Sequence, residues 1–291
     1  MRAYRVAYDG RAYHGFQRQP AVPTVENTLF SGLRDLGLEF DDDPPGYAAA
    51  GRTDRGVSAL AQTIALDAPK WLSPRAFTTQ LPTDVHVWAS ADAPDDFHAT
   101  HDAIAREYTY YLHVGGSPSG SETSESGGRG PGDDPVRIEA IESRLSGEHD
   151  FHNLAAEDTG TVRDLSVRSR REGFYRVIRV RTDGFPRQLV RRLVTLYDRV
   201  RSGRADLDFL DRVLGPEPLP GPDGIEPAPA HPLVLTDVEY GLDFEPDPTA
   251  VELAREAVSA QVRRDRSRAT ALESIEGDIP DRGTVDRPDN P

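Results

Sequence analysis

The sequence predicts an α+β fold made of two ferredoxin-like halves with antiparallel sheets. Two runs of periodic patterning predict it. From Arg2 to Ala91 the segments read β-α-β-β-α-β, and from Glu107 to Tyr240 a second run of the same kind follows. Length agrees: 291 residues, 37% of them hydrophobic, suffice for one large domain or two medium ones with a real core. The expected divisions are 1–95, 96–243 and a charged appendage over 244–291.

In the first half, Arg2 to Asp9 alternates as a strand with Tyr4, Val6 and Tyr8 on one face. Gly10 to Pro23 reads as a loop. Thr24 is placed to cap a helix through about Gly37, whose apolar stripe is Val25, Leu29, Leu33 and Leu36. The acidic, proline-bearing Asp41 to Gly46 is a loop. Short strands follow over Tyr47 to Ala50 and Gln62 to Leu66. Ser73-Pro74 opens a helix to Leu81, as an N-cap and first-turn proline do. Val85 to Ala91 alternates as the last strand.

In the second half, Glu107 to Val114 is a tyrosine-rich strand. Gly115 to Pro135, rich in Gly, Ser and acids, is expected to be a mobile insert. Arg137 to Leu145 forms a helix with Ile138, Ile141 and Leu145 inward. Leu165 to Arg171 and Phe174 to Thr182 pair as a hairpin around Glu172-Gly173. Pro186 to about Ser202 is a long helix closed by Gly203, and Asp206 to Leu214 a short one. Leu233 to Tyr240 is the final strand. Beyond Asp243 the chain is charged, with a frayed end.

Composition narrows the setting. No apolar run approaches the roughly 18–20 residues of a membrane span, and Met1-Arg2-Ala3-Tyr4 lacks a signal peptide's apolar stretch. A cytoplasmic protein is expected. Without cysteine, disulfides and thiolate metal sites are excluded. Acidic residues number 49 against 34 basic ones, a net charge of -15, and Lys70 is the only lysine. Such a surface suits molar salt, where self-repulsion is screened, so a halophilic source is expected. Acidity argues against nucleic acid as a partner, but its distribution does not. Between Arg163 and Arg204 lie 13 arginines and four acids, a local charge of +9 and a candidate phosphate-binding face.

Three segments carry chemistry. In Gly51-Arg52-Thr53-Asp54-Arg55-Gly56 an aspartate sits among arginines and glycines, which suits a carboxylate nucleophile close to substrate; a surface turn with an Asp–Arg pair is the other reading. In Arg106-Glu107-Tyr108-Thr109-Tyr110, Tyr108 and Tyr110 share a strand face, which either stacks on an unpaired base or packs in a core. In Asp183-Gly184-Phe185-Pro186-Arg187, Arg187 falls in the first turn of the long helix. There it pairs with Asp54 or a phosphate, or else lies on a solvated face. Two His-x-x-His spacings, His98/His101 and His149/His152, lack a convincing third and fourth ligand, so no metal is expected.

Together these segments resemble the tRNA pseudouridine synthase A family. The likeness is ordered along Arg2 to Tyr240. It runs through Tyr8-Asp9-Gly10, Gly15-Phe16-Gln17-Arg18-Gln19, Ala50-Gly51-Arg52-Thr53-Asp54, Asp96-Phe97-His98-Ala99, Arg106-x-Tyr108-x-Tyr110, Gly147-x-His149-Asp150-Phe151 and Phe185-x-Arg187-x-x-Val190-Arg191. The resemblance implies two ferredoxin-like halves whose sheets join around an arginine-rich cleft, and a homodimer acting on tRNA. It implies conversion of anticodon stem-loop uridines, at tRNA positions 38 to 40, into pseudouridine without metal or organic cofactor. The catalytic aspartate maps onto Asp54, the base-packing tyrosine onto Tyr108, the aspartate's arginine partner onto Arg187 and the base-flipping arginine onto Arg52. Arg55, Tyr110, Arg191 and Arg192 are expected to contact the RNA. Tyr108 is also a candidate to accept the C5 proton, although a phenol's ordinary pKa is about 10. Arg55 and Ser58 depart from the family, where many members carry Ala and His. A base-excising glycosylase and a non-catalytic RNA-binding module are the competing readings.

Overall fold

Alternating apolar side chains build the first half around β1 (Arg2–Tyr8). In the computed structural model, which describes residues 1–115, 133–157, 159–220 and 224–279, β1 pairs antiparallel with β3 (Ser58–Leu66) and β4 (Val85–Asp92). The far edge of β3 is shared. Its end, Ile64 and Ala65, pairs with β2 (Ala48–Ala49), while its start, Ser58 and Ala59, pairs in parallel with β9 (Leu233–Glu239) of the second half. Helix α1 (Val25–Asp35) is capped by the Thr24 hydroxyl, which accepts from the Asn27 N–H at 3.3 Å. Helix α2 (Pro74–Thr78) is capped by Ser73 in the same way. Both caps stand where the sequence places them. Leu29, Phe30, Leu33 and Phe77 are buried with Tyr4, Val6, Val85 and Val87 in one core.

The second half repeats the pattern. Strand β5 (Ala105–His113) lies between β9 and β8 (Tyr175–Thr182), and β7 (Val162–Glu172) and β6 (Gly147–Asp150) follow outward. Helices α3 (Pro135–Leu145), α4 (Leu189–Arg201) and α5 (Leu207–Val213) bury Ile141, Leu193, Leu196, Tyr197 and Leu210 in a second core with Val167, Ile178 and Val180. Both halves therefore have the ferredoxin-like strand order, and their strands form one sheet through the short β3–β9 junction. The first core also holds Phe97, Leu235 and Val238, and Tyr108 packs against both cores.

Several elements differ from expectation. Strand β3 starts four residues early, because β9 supplies a partner for Ser58 and Ala59. Strand β6 is short and polar and carries no alternating apolar signal. The long helix begins at Leu189, not Pro186, because Gln188 takes a left-handed conformation with φ 66°. The charged segment after Asp243 is ordered as far as it is described. Strand β10 (Glu245–Pro246) extends the sheet beside β4, and α6 (Pro248–Asp278) is a 31-residue helix capped by Asp247. The expected mobile insert falls mainly on 116–132, outside the described residues.

Candidate active site

The loop carrying Asp54 spans residues 50–57, between β2 and β3, and so lies at the seam where the edge of β3 passes from β2 to β9. It is fixed from several sides. The Thr53 hydroxyl shares a 2.8 Å hydrogen bond with the Tyr8 phenol, and its carbonyl accepts from Phe16 N–H at 3.0 Å. Gln62 donates to the Gly51 carbonyl at 2.8 Å. The Val57 N–H closes the turn onto the Asp54 carbonyl at 3.1 Å. Two glycines outside the loop make room for it. A Cβ on Gly10 would lie 2.0 Å from the Val57 carbonyl oxygen, and Gly15, with φ 104°, would place one 2.9 Å from that of Thr53.

Arg106 ties this loop to the other half. Its Nε and Nη2 donate to the Ala50 carbonyl at 3.1 and 2.7 Å, Nη2 also reaches the Thr100 carbonyl at 2.7 Å, and Nη1 donates to the Asp183 carbonyl. The Asp183 turn leads directly into Phe185 to Arg191. One guanidinium therefore sets the Asp54 loop against the start of α4.

The ion-pair partner of Asp54 is Arg191, not Arg187. Arg191 Nη1 stands 3.4 Å from Asp54 Oδ2, and its Nε is held at 2.6 Å by the Ala228 carbonyl. Arg187 turns away. Its side chain is 65% exposed, its Nε lies 3.8 Å from Glu157, and its backbone N–H donates to the same carboxylate at 2.7 Å. The late start of α4 explains the difference, because Arg187 precedes the helix and Arg191 sits in its first turn. A cleft nonetheless brings Arg52, Asp54, Tyr108, Phe185, Arg187 and Arg191 together. Tyr108 packs edge-on against Phe185, ring centroids 5.1 Å apart. Burial, and then the Asp54 charge, push its phenol well above the ordinary range.

These motifs can be set beside known proteins. A family model described as tRNA pseudouridine synthase matches residues 141–241. A Haloarcula marismortui protein named tRNA pseudouridine synthase A is 53% identical over 274 residues, 93% of this chain and 95% of its own. The chain belongs to the tRNA pseudouridine synthase A family. Namesakes from Halobacterium salinarum and Methanosarcina mazei are 54% and 35% identical, over 87% and 94% of this chain and 90% and 97% of their own. The haloarchaeal relatives agree with the acidic, lysine-poor composition. The α+β architecture is the pseudouridine synthase fold.

Other expected site residues of this tRNA pseudouridine synthase A family member are placed as follows. Arg52 and Arg55 are exposed on the Asp54 loop. Tyr110 shares the Tyr108 face, but that face is interior there. Tyr110 is 2% exposed within the second core, burial raises its phenol to about 12, and it does not offer itself to RNA. Arg192 donates to Gln188 at 3.2 Å. Part of the +9 surplus counted along 163–204 is engaged in space by acids elsewhere in the chain. Asp133 takes Arg171, Arg176 and Arg201, and Glu239 takes Arg181. Arg168 and Arg179 stay exposed, facing each other across β7 and β8. Sequence reasoning missed the fixing roles of Arg106, Gln62, Gly10 and Gly15. The signals pointing to them were the Arg106-x-Tyr108 pairing and the motifs holding Gly10 and Gly15, while Gln62 had none. Among the described residues no group of three or more His, Asp or Glu is gathered as for a metal ion, and no helix is long and apolar enough to cross a membrane.

Proposed function

We propose that this tRNA pseudouridine synthase converts uridines at positions 38 to 40 of the anticodon stem-loop, using Asp54 as its catalytic carboxylate on a flipped nucleotide. The observation that carries the reading is the Asp54–Arg191 ion pair at 3.4 Å, at the floor of a cleft walled by Tyr108, Phe185 and Arg52. Isomerisation breaks the N1–C1′ bond, turns the uracil and joins C5 to C1′, with C5 releasing a proton and N1 taking one up. Bond cleavage develops positive charge on the sugar, which an adjacent carboxylate stabilises or traps. The target must leave its stack, at a cost of a few kcal/mol. Exposed Arg52 is placed to occupy the vacated space, and the Tyr108–Phe185 pair offers an aromatic wall for the extruded base. With its phenol pushed up, Tyr108 keeps its proton at neutral pH, so its part is packing and hydrogen bonding rather than acceptance of the C5 proton. Arg191 orients the carboxylate, the part the family resemblance gave to Arg187. We also take the enzyme to act as a cytoplasmic homodimer, which sedimentation at molar KCl tests.

The functional test is carbodiimide mapping of unmodified tRNA after incubation in molar KCl. New stops at positions 38 to 40, with the RNA mass unchanged, are expected. No new stop in the anticodon arm defeats the reading, and an abasic site makes the protein a glycosylase.

A further inference from the structure

Helix α6 crosses the first half beside β4 and runs about 46 Å at 1.5 Å per residue. Ala250, Ala254, Ala257, Gln261 and Asp265 form its inward stripe. Between the helix and the sheet lies a groove of about 450 Å³, with Leu60, Val258 and Val262 among its apolar lining and Arg11 and Arg264 among its charged lining. Ser58 and His231 also line it. Ser58 follows the Asp54 loop, and Ala230, next to His231, packs against Gly56 of that loop. The groove therefore borders the residue that follows the Asp54 loop. Asp265 is held there by Arg11 at 2.9 Å.

From this anchor the helix presents Arg263, Arg264, Arg266 and Arg268, all exposed. The run opposes the composition of a chain with a net charge of -15. It also opposes helix design. Arg263 meets Arg266 at i+3 and Arg264 meets Arg268 at i+4, and such like-charge pairs repel. Arg263, Arg264 and Arg266 have no acid three or four residues away, whereas Arg255 in the same helix has Glu252. Asp265 is the one acid in the run, and it is turned to Arg11. Among the described residues none of the four forms an ion pair; Arg264 bonds only to Gln261, at 2.6 Å. Arg263 and Arg266 share one side of the helix and Arg264 and Arg268 another, two self-repelling pairs of planar, always-charged donors that phosphates complement.

We propose that the arginine run of α6 is a second binding track for the phosphate backbone of the substrate tRNA, separate from the cleft that takes the target uridine. The proposal rests on the tRNA reading above. Arginine suits it in molar salt, where point-charge attraction is screened but the bidentate hydrogen bonds of a guanidinium persist.

The test is tRNA binding by the full chain with Arg264→Gln, Arg266→Gln and Arg268→Gln combined, titrated over a range of KCl. The dissociation constant should rise at least tenfold, and the slope of log affinity against log salt should become shallower by about two to three, as when that many phosphate contacts are lost. Circular dichroism checks that helix content is kept. If the triple variant loses helix, Arg266→Glu alone, which lies off the inward stripe, should still weaken binding several-fold. Unchanged affinity and salt slope in a folded variant overturn the track. A wild-type protein that modifies no tRNA uridine instead defeats the functional reading, so the two failures are distinguishable.

Discussion

Replacing Arg106 with alanine isolates positioning from chemistry, because Arg106 touches neither Asp54 nor the cleft wall and acts through three carbonyls. Thr100 is exposed and Asp183 is exposed, so water replaces the guanidinium at both. Ala50 is 1% exposed, and its carbonyl loses the hydrogen bonds at 3.1 and 2.7 Å with little water to take over, although Ala50 keeps its N–H bond to Thr63. One buried acceptor left unpaired costs about 1–3 kcal/mol. At about 2–4 °C per kcal/mol, the melting midpoint should fall by several degrees and the protein should remain folded. The larger effect is on rate. The Asp54 loop and the Asp183 turn lose their common tether, and a displacement of about 1 Å costs about a hundredfold in rate. Single-turnover pseudouridine formation at saturating tRNA should fall by about that factor, with the half-saturating tRNA concentration changed less than threefold. Arg106→Lys, which keeps a donor for Ala50, should recover part of the rate. A wild-type rate in Arg106→Ala, or a loss confined to tRNA affinity, refutes the reasoning.

Further expectations concern the ion pair, alkali and the last helix. Arg191→Gln should lower the single-turnover rate at least a hundredfold, while Arg187→Gln, whose side chain is 65% exposed, should stay within a few-fold of wild type; the reverse order would return the pairing role to Arg187. Burial raises the phenols of Tyr4, Tyr8, Tyr13, Tyr108 and Tyr240. A raised folded-state value gives stability that is complete below the unfolded value of about 10 and is lost as pH climbs above it. Melting midpoints should therefore hold to about pH 10 and then drop as tyrosinate absorbance appears; phenolate appearing in the folded protein well below that pH contradicts the burial. Asp247→Ala removes the cap that accepts from Thr249 and Ala250 at 3.0 Å, and should cost about 0.5–2 kcal/mol in denaturant unfolding. No change would mean that α6 unfolds separately from the rest.

Much of the fold is legible in the sequence. The caps at Thr24 and Ser73, the stripe of α1 and the strand alternation are local signals, and local sterics set them. The Asp54 segment was singled out because the residues around it form a dense, ordered motif, and it lies in a cleft beside Arg191. The exchange of Arg187 for Arg191 was not, for a physical reason. Residues four apart share a helix face, so periodicity alone treats the two alike. The left-handed Gln188 breaks the helix between them and gives them different surroundings. Tyr110 illustrates a similar limit. Alternation says that it shares a face with Tyr108 but not that α4 covers that face. The arginine count along 163–204 could not show which arginines are engaged, because Asp133 and Glu239 lie outside the window and meet Arg171, Arg176, Arg201 and Arg181 only in three dimensions. Helix α6 was missed because its stripe is mostly alanine, which favours helix without showing an apolar period.

The most direct measurement is the single-turnover rate of Asp54→Ala on unmodified tRNA, with tRNA affinity measured alongside in the same molar KCl. Loss of all detectable pseudouridine in the anticodon arm, with affinity within a few-fold of wild type, is the predicted result. Residual turnover near the wild-type rate, or inactivity explained wholly by lost binding, would contradict a catalytic carboxylate at residue 54.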